Sequence, residues 1–193
     1  MYIGTDRFTK TGVDTVRSVY QKKDRNTWKM RVKQPEIIFE DDAVIVCRKE
    51  AGVAVQTARA GQADMVSLLK TYRAKKKEET YIGLIHRLDQ PVEGVMVFAK
   101  TKQAAAKLSA QVSSRSMGKE YLAVTEGIPQ PPEGELCDWL LRDGRTNTSQ
   151  VVKPWTPQAK EAKLRYQVEQ TDEEQQKALV HIWLHTGRHH QIR

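Results

Sequence analysis

Cysteine is scarce. The 193 residues hold two, Cys47 and Cys137, ninety positions apart. Two thiols so widely spaced make neither a disulfide scaffold nor a zinc cluster, and they suit a reducing, cytosolic compartment. Long apolar runs are missing as well. The longest are five or six residues, Ala43–Cys47 and Gly94–Ala99, against the roughly 20 that a membrane-spanning helix needs. The first residues carry Asp6 and Arg7 and show no apolar h-region, so a secretory signal is not expected. Glycine-rich phosphate loops of the Walker or dinucleotide type are absent, and nucleotide cofactors lose their usual signature. Acidic residues are outnumbered: 24 Asp and Glu face 32 Lys and Arg, a net charge of +8. Such a balance describes partners rather than fold. It fits either a polyanion such as nucleic acid or a generically basic surface.

Positive charge is concentrated in residues 1–35. Nine cations from Arg7 to Lys33 stand there against Asp6, Asp14 and Asp24, so that segment carries +6 of the +8. It shows little periodicity and ends at Gln34-Pro35. It reads as a mobile or loosely packed basic arm, or as an extension packed on the main domain. From Glu36 the pattern becomes globular. Short strands are predicted at Ile37–Glu40, Ala43–Arg48 and Val53–Gln56, with turns at Asp41-Asp42 and Ala51-Gly52. A helix is predicted over Ala63–Lys76, with Met65, Val66, Leu68, Leu69 and Tyr72 on its apolar side. Its end, Lys75-Lys76-Lys77, suits the helix dipole and reads as solvated. A strand over Gly94–Lys100 leads to a helix capped by Thr101 and running to about Ser114. Lys119–Thr125 alternates as a strand, Asp143–Pro157 reads as a long loop, and Lys163–Glu169 with Lys177–His185 reads as a hairpin. Many short strands and two helices without βαβ alternation predict an α+β fold with a mixed, mostly antiparallel central sheet flanked by helices and loops.

Three constellations carry chemistry. In His86-Arg87-Leu88-Asp89, a guanidinium two residues from a carboxylate favours the ionised form, which can act as nucleophile or base; the same pair can also merely staple a loop. In Lys119-Glu120-Tyr121, strand alternation puts the ammonium and the phenol on one face, where the phenol can share a proton, or is simply a half-buried strand tyrosine. The stretch Thr186-Gly187-Arg188-His189-His190-Gln191-Ile192-Arg193 gathers two guanidiniums and two imidazoles in eight residues, groups suited to phosphates and carboxylates. His181, His185 and His189 recur every four residues, a zinc spacing on a helix. Val180, Ile182, Trp183 and Leu184 favour a strand, however, on which His181 and His185 stand about 13 Å apart, so no metal site is expected.

Taken together and in this order, the three motifs resemble those of the RluA/RluD-type pseudouridine synthases. His86-Arg87-Leu88-Asp89, followed by Gly94 and Val97-Phe98-Ala99-Lys100, is similar to the family's catalytic-aspartate motif. Lys119-Glu120-Tyr121 is similar to its Lys-x-Tyr motif, and residues 186–193 to its Thr-Gly-Arg-x-His-Gln-Ile-Arg motif. Ile37–Asp42 and Lys49–Val53 resemble its opening hairpin. The resemblance covers residues 36–193 and implies the pseudouridine synthase catalytic fold there, after the basic arm of residues 1–35. It implies isomerisation of uridine in structured RNA, ribosomal or transfer, with Asp89 as the catalytic carboxylate. Tyr121 would handle a sugar or base proton, and Arg193 would be the cation paired with Asp89. His86, Arg87, Lys119, Arg188 and His190 would contact the RNA. No cofactor and no metal are implied, RNA is the expected partner, and a cytoplasmic monomer with no membrane contact is expected. The family has a small hydroxyl residue where Glu93 stands, and it continues beyond the Gln-Ile-Arg at which this chain stops. The segment therefore reads as lacking the family's C-terminal portion. A catalytically impaired RNA-binding module of the same fold is the alternative.

Overall fold

The computed structural model describes residues 20–22, 28–30, 34–59 and 61–193. They divide into two compact units, one ending at Lys102 and the other running Gln103–Arg193. Within the basic arm, β1 (Tyr20–Lys22) pairs antiparallel with β2 (Trp28–Met30). The remainder of the arm up to residue 33 lies outside the described residues.

The first unit is built on a four-stranded antiparallel sheet. Its strands are β3 (Glu36–Glu40), β4 (Val44–Lys49), β5 (Gly83–Leu84) and β6 (Gly94–Ala99), in the order β3-β4-β6-β5. Alternation along β4 buries Ile45, Cys47 and Lys49 on one face. Ile45 and Cys47 join Met96 and Phe98 of β6 in the core, closed by Met65, Val66 and Leu69 of α1 (Met65–Lys75). Asp64 caps α1: its carboxylate accepts from Ser67 N at 2.7 Å, and Ser67 Oγ answers by accepting from Asp64 N at 3.0 Å. The strand predicted at Val53–Gln56 is instead irregular, with a single parallel bridge between Ala54 and Asp64. The reason is local. The carbonyls of Ala54 and Val55 accept from Met65 N and Val66 N, so this segment satisfies the helix's first amides rather than a sheet ladder.

Of the lysines at the end of α1, Lys75 and Lys77 are exposed as expected, but Lys76 is not merely solvated. Lys76 pairs with Glu40 at 3.1 Å and Glu78 at 3.2 Å. Lys100 reaches the same two carboxylates at 2.8 and 3.3 Å. Burial alone would raise the Glu40 pKa, but hydrogen bonds from Lys100, Tyr72 and Lys76 bring it down from 4.5 to about 2. Cys47 lies in the core, where burial pushes its thiol up to about 12 and leaves it unreactive.

The second unit carries α2 (Lys102–Ser113) and a five-stranded antiparallel sheet. Its strands are β7 (Glu120–Glu126), β8 (Glu133–Asp143), β9 (Thr148–Val152), β10 (Lys160–Asp172) and β11 (Lys177–Leu184), in the order β7-β11-β10-β8-β9. Ala123, Leu164, Tyr166, Val180 and Ile182 form its core. The predicted β10–β11 hairpin is present, with Arg165 opposite Trp183 and Gln167 opposite His181. The long loop predicted over Asp143–Pro157 contains β9, which pairs with β8 as an edge strand. The Asp143 carboxylate fixes the turn by accepting from Arg145 N at 2.8 Å. The fold is α+β, as expected, but the described strands form separate sheets rather than one, and every strand pair among them is antiparallel.

Candidate active site

Asp89 stands in the connection between β5 and β6, its side chain half-buried. That connection is tied down on all sides. Leu88 packs on the first core, and Val92 is buried. Asp89 O accepts from Val92 N at 3.0 Å, closing a turn. Gln90 exchanges two hydrogen bonds with Gly52: its carbonyl accepts from Gly52 N at 2.9 Å, and its Nε2 donates to Gly52 O at 3.0 Å. Gly52 sits at φ +84°, a conformation that favours glycine.

Beneath the loop lies Lys49, with no exposed surface. Its ammonium donates to three backbone carbonyls: Val92 O at 2.6 Å, Gln90 O at 3.0 Å and Glu50 O at 3.2 Å. Burial pulls its pKa from 10.5 down to about 8, against the upward pull of Asp89 and Glu93. Lys49 therefore clamps the backbone just after Asp89 to the end of β4, and its positive charge is felt by Asp89. No functional role follows for this residue from motif reading. Its signal was the alternation of β4, which puts position 49 on the same inward face as Ile45 and Cys47.

The neighbouring candidates differ in what they do. The His86 ring is half-buried, and its Nε2 accepts from Val97 N at 3.3 Å, which fixes the imidazole against β6. Arg87 is exposed and donates to Gln56 Oε1 at 3.2 Å. Glu93, the carboxylate four positions beyond Asp89, forms an ion pair with Arg48 at 2.7 Å. Its charge is matched there by a guanidinium whose own pKa is raised by the contact.

The other candidates belong to the second unit. Tyr121 is half-buried on β7 and packs on that unit's core. Residues 186–193 form a compact turn organised by Thr186 and Gln191. The buried Thr186 hydroxyl accepts from Lys163 N at 2.8 Å and donates to Gln191 Oε1 at 2.9 Å. The same oxygen accepts from Arg188 N at 2.9 Å, while Gln191 Nε2 donates to Lys163 O at 3.1 Å. Two residues quoted for their motif are thus its scaffold. Arg188 Nε donates to Glu161 O at 2.7 Å, anchoring the guanidinium. The His190 ring stacks on His189 at 3.7 Å, and Arg193 Nη1 lies 3.5 Å from His190 Nε2. Lys119 joins two motifs: its Nζ lies over Gly187, where any Cβ would come within 2.8 Å of it. Burial lowers the Lys119 pKa, and the neighbouring charges of Arg115 and Arg188 lower it further.

One unit thus carries a tethered carboxylate loop, and the other carries a basic, hydrogen-bonded turn and a half-buried phenol. The family model described as RNA pseudouridylate synthase matches residues 43–193. This chain belongs to that family. It is 31% identical over 159 residues to an uncharacterized RNA pseudouridine synthase, YhcT, of Bacillus subtilis, covering 82% of this chain and 52% of that protein. It is 33% identical over 157 residues to the ribosomal large subunit pseudouridine synthase C of Yersinia pestis, covering 81% and 47%. It is 30% identical over 184 residues to the ribosomal large subunit pseudouridine synthase D of Vibrio cholerae, covering 94% and 55%. Among solved structures, the human RNA pseudouridylate synthase domain containing 4 superimposes with a TM-score of 0.67 at 27% identity, over 82% of this chain and 62% of that one. The chain spans about half the length of these curated relatives.

Proposed function

We propose that this chain isomerises uridine to pseudouridine in structured RNA, with Asp89 as the catalytic carboxylate. The reaction breaks the glycosidic N1–C1′ bond, turns the uracil and joins C5 to C1′. C5 gives up a proton and N1 takes one, so the product holds the atoms of the substrate and no redox partner or metal is required. A uridine in folded RNA must first leave its stack to reach the site. Asp89 attacks or deprotonates the extruded nucleoside, Tyr121 handles the moving proton, and Arg193 is the cation that partners Asp89. Arg87, Lys119, Arg188 and His190 meet the RNA around it, with His86 on the same loop. Residues 36–193 are the catalytic domain, and the cations of residues 1–35 add affinity for phosphates.

The observation that carries this reading is the loop of Asp89, held by Lys49, Gln90 and Val92. A backbone fixed in this way holds the residue that bears the carboxylate in place, which limits reorganisation during reaction. Ribosomal RNA is favoured over transfer RNA as substrate, because the Yersinia and Vibrio relatives are named for the large ribosomal subunit. A cytoplasmic enzyme acting as a monomer fits that substrate. The test is pseudouridine mapping in ribosomal and transfer RNA from cells lacking the gene. Loss of pseudouridine at one or a few ribosomal positions is expected, and a map unchanged in both RNA classes would contradict the reading.

A further inference from the structure

Within the second unit, a pocket of about 390 Å³ opens between the end of α2 and the ends of β7 and β11. That volume is in the range of small-ligand sites. Arg115, Lys119 and His185 line it, with Trp183 as a wall. The loop carrying Arg115 is fixed to the last turn of α2: Arg115 N donates to Val112 O at 3.2 Å, and Ser116 N donates to Gln111 O at 3.0 Å. Trp183 is held by its own neighbours, stacked on His181 at 3.9 Å with the Arg165 guanidinium 5.3 Å from its ring. The one carboxylate-bearing residue in the lining, Glu120, bonds to His181 at 3.1 Å. The cations are therefore left to one another. Among the described residues, no ion pair engages Arg115 or Lys119, and the charges felt by Lys119 are those of Arg115 and Arg188. A concave site whose cations repel one another is completed by an anion.

We infer that this pocket receives a phosphodiester of the RNA strand beside the target uridine, gripped by the Arg115 guanidinium and the Lys119 ammonium. The inference rests on the RNA-modifying reading above and adds a subsite to it. Guanidinium and ammonium groups suit phosphate oxygens, and His185 at the rim supplies a further ring N–H. Positions 119 and 121 stand about 7 Å apart along a strand, a separation one nucleotide spans. A phosphate here would therefore belong to the nucleotide next to the one that Tyr121 meets.

The test uses the full chain and a fluorescein-labelled 20-nucleotide RNA hairpin with a uridine loop. Affinity is measured by anisotropy at several salt concentrations from 50 to 200 mM. Each phosphate contact accounts for about a threefold loss of affinity over that range. Arg115→Gln and Lys119→Gln should each flatten the salt dependence by about threefold. The double variant should flatten it little further, because both groups grip one phosphate. Lys177→Gln, about 20 Å along β11 from Trp183, should keep the wild-type slope. Pocket variants with the wild-type slope, including variants that bind more weakly by the same factor at every salt concentration, would overturn the subsite while leaving the enzyme reading intact. Equal flattening by Lys177→Gln would overturn it too. A wild-type protein with no affinity for the hairpin would overturn both.

Discussion

Replacing Lys49 by methionine keeps the side chain's length and removes its charge. Three charge-assisted hydrogen bonds disappear, and the carbonyls of Glu50, Gln90 and Val92 lose that donor beneath the Asp89 loop. Hydrogen bonds to charged groups contribute about 1.5–3 kcal/mol each. Against this, burial of the ammonium costs on the order of 3 kcal/mol, from the fall of its pKa from 10.5 to about 8. The net loss expected for Lys49→Met is about 2–5 kcal/mol, or a Tm lower by about 5–20 °C for a chain of this size. Urea titration followed by circular dichroism measures it. The pH dependence supplies a second readout. The folded lysine releases its proton near pH 8, and the unfolded one near 10.5. Between these values the unfolded chain binds more protons, so this group's contribution to stability rises with pH; below pH 8 it is constant. The stability difference between wild type and Lys49→Met should therefore grow as pH rises from 8 towards 10. A variant as stable as wild type, with a pH-independent difference, would refute the clamp.

Three further outcomes are expected. Glu40→Gln removes a carboxylate whose pKa is held at about 2, below its ordinary 4.5; wild type should lose on the order of 2–3 kcal/mol as pH falls from about 4.5 to 2, and the variant should lack that part of the acid transition in a urea-melt series. Thr186→Val strips the hydroxyl that joins Lys163 to Gln191; it should cost about 1–3 kcal/mol and speed amide exchange across residues 186–193 by hydrogen-exchange mass spectrometry. Gly187→Ala should leave Tm within about 2 °C, because only the flexible end of Lys119 has to move, yet it should weaken RNA binding, as read by anisotropy.

What the residues revealed in advance follows from physical period. Strands β4, β6 and β11 hold short apolar runs, β10 alternates apolar with polar residues, and α1 carries an apolar stripe, so each was legible. Strand β9 was not: Thr148-Ser149-Gln150 is polar on both faces because it is an edge strand, and edge strands bury little. The segment after Gly52 looked like a strand because Val53 and Val55 pack inward, but its carbonyls are spent on α1. At the candidate site, Asp89, Tyr121 and the Arg188 to Arg193 turn could be named from their motifs. The roles of Lys49, Thr186 and Gln191 could not, because each depends on which backbone groups the fold brings within reach. Glu93 stands where the family has a small hydroxyl residue, and its partner, Arg48 on β4, is 45 positions away in sequence and was not legible from the motif.

The most direct measurement is tritium release from RNA labelled at uracil C5, comparing the full chain with Asp89→Asn. The amide keeps the shape of the carboxylate and cannot serve as base or nucleophile, so the label should leave the RNA with wild type and stay in place with the variant while RNA affinity is retained. Equal release by both proteins would contradict a catalytic carboxylate at position 89.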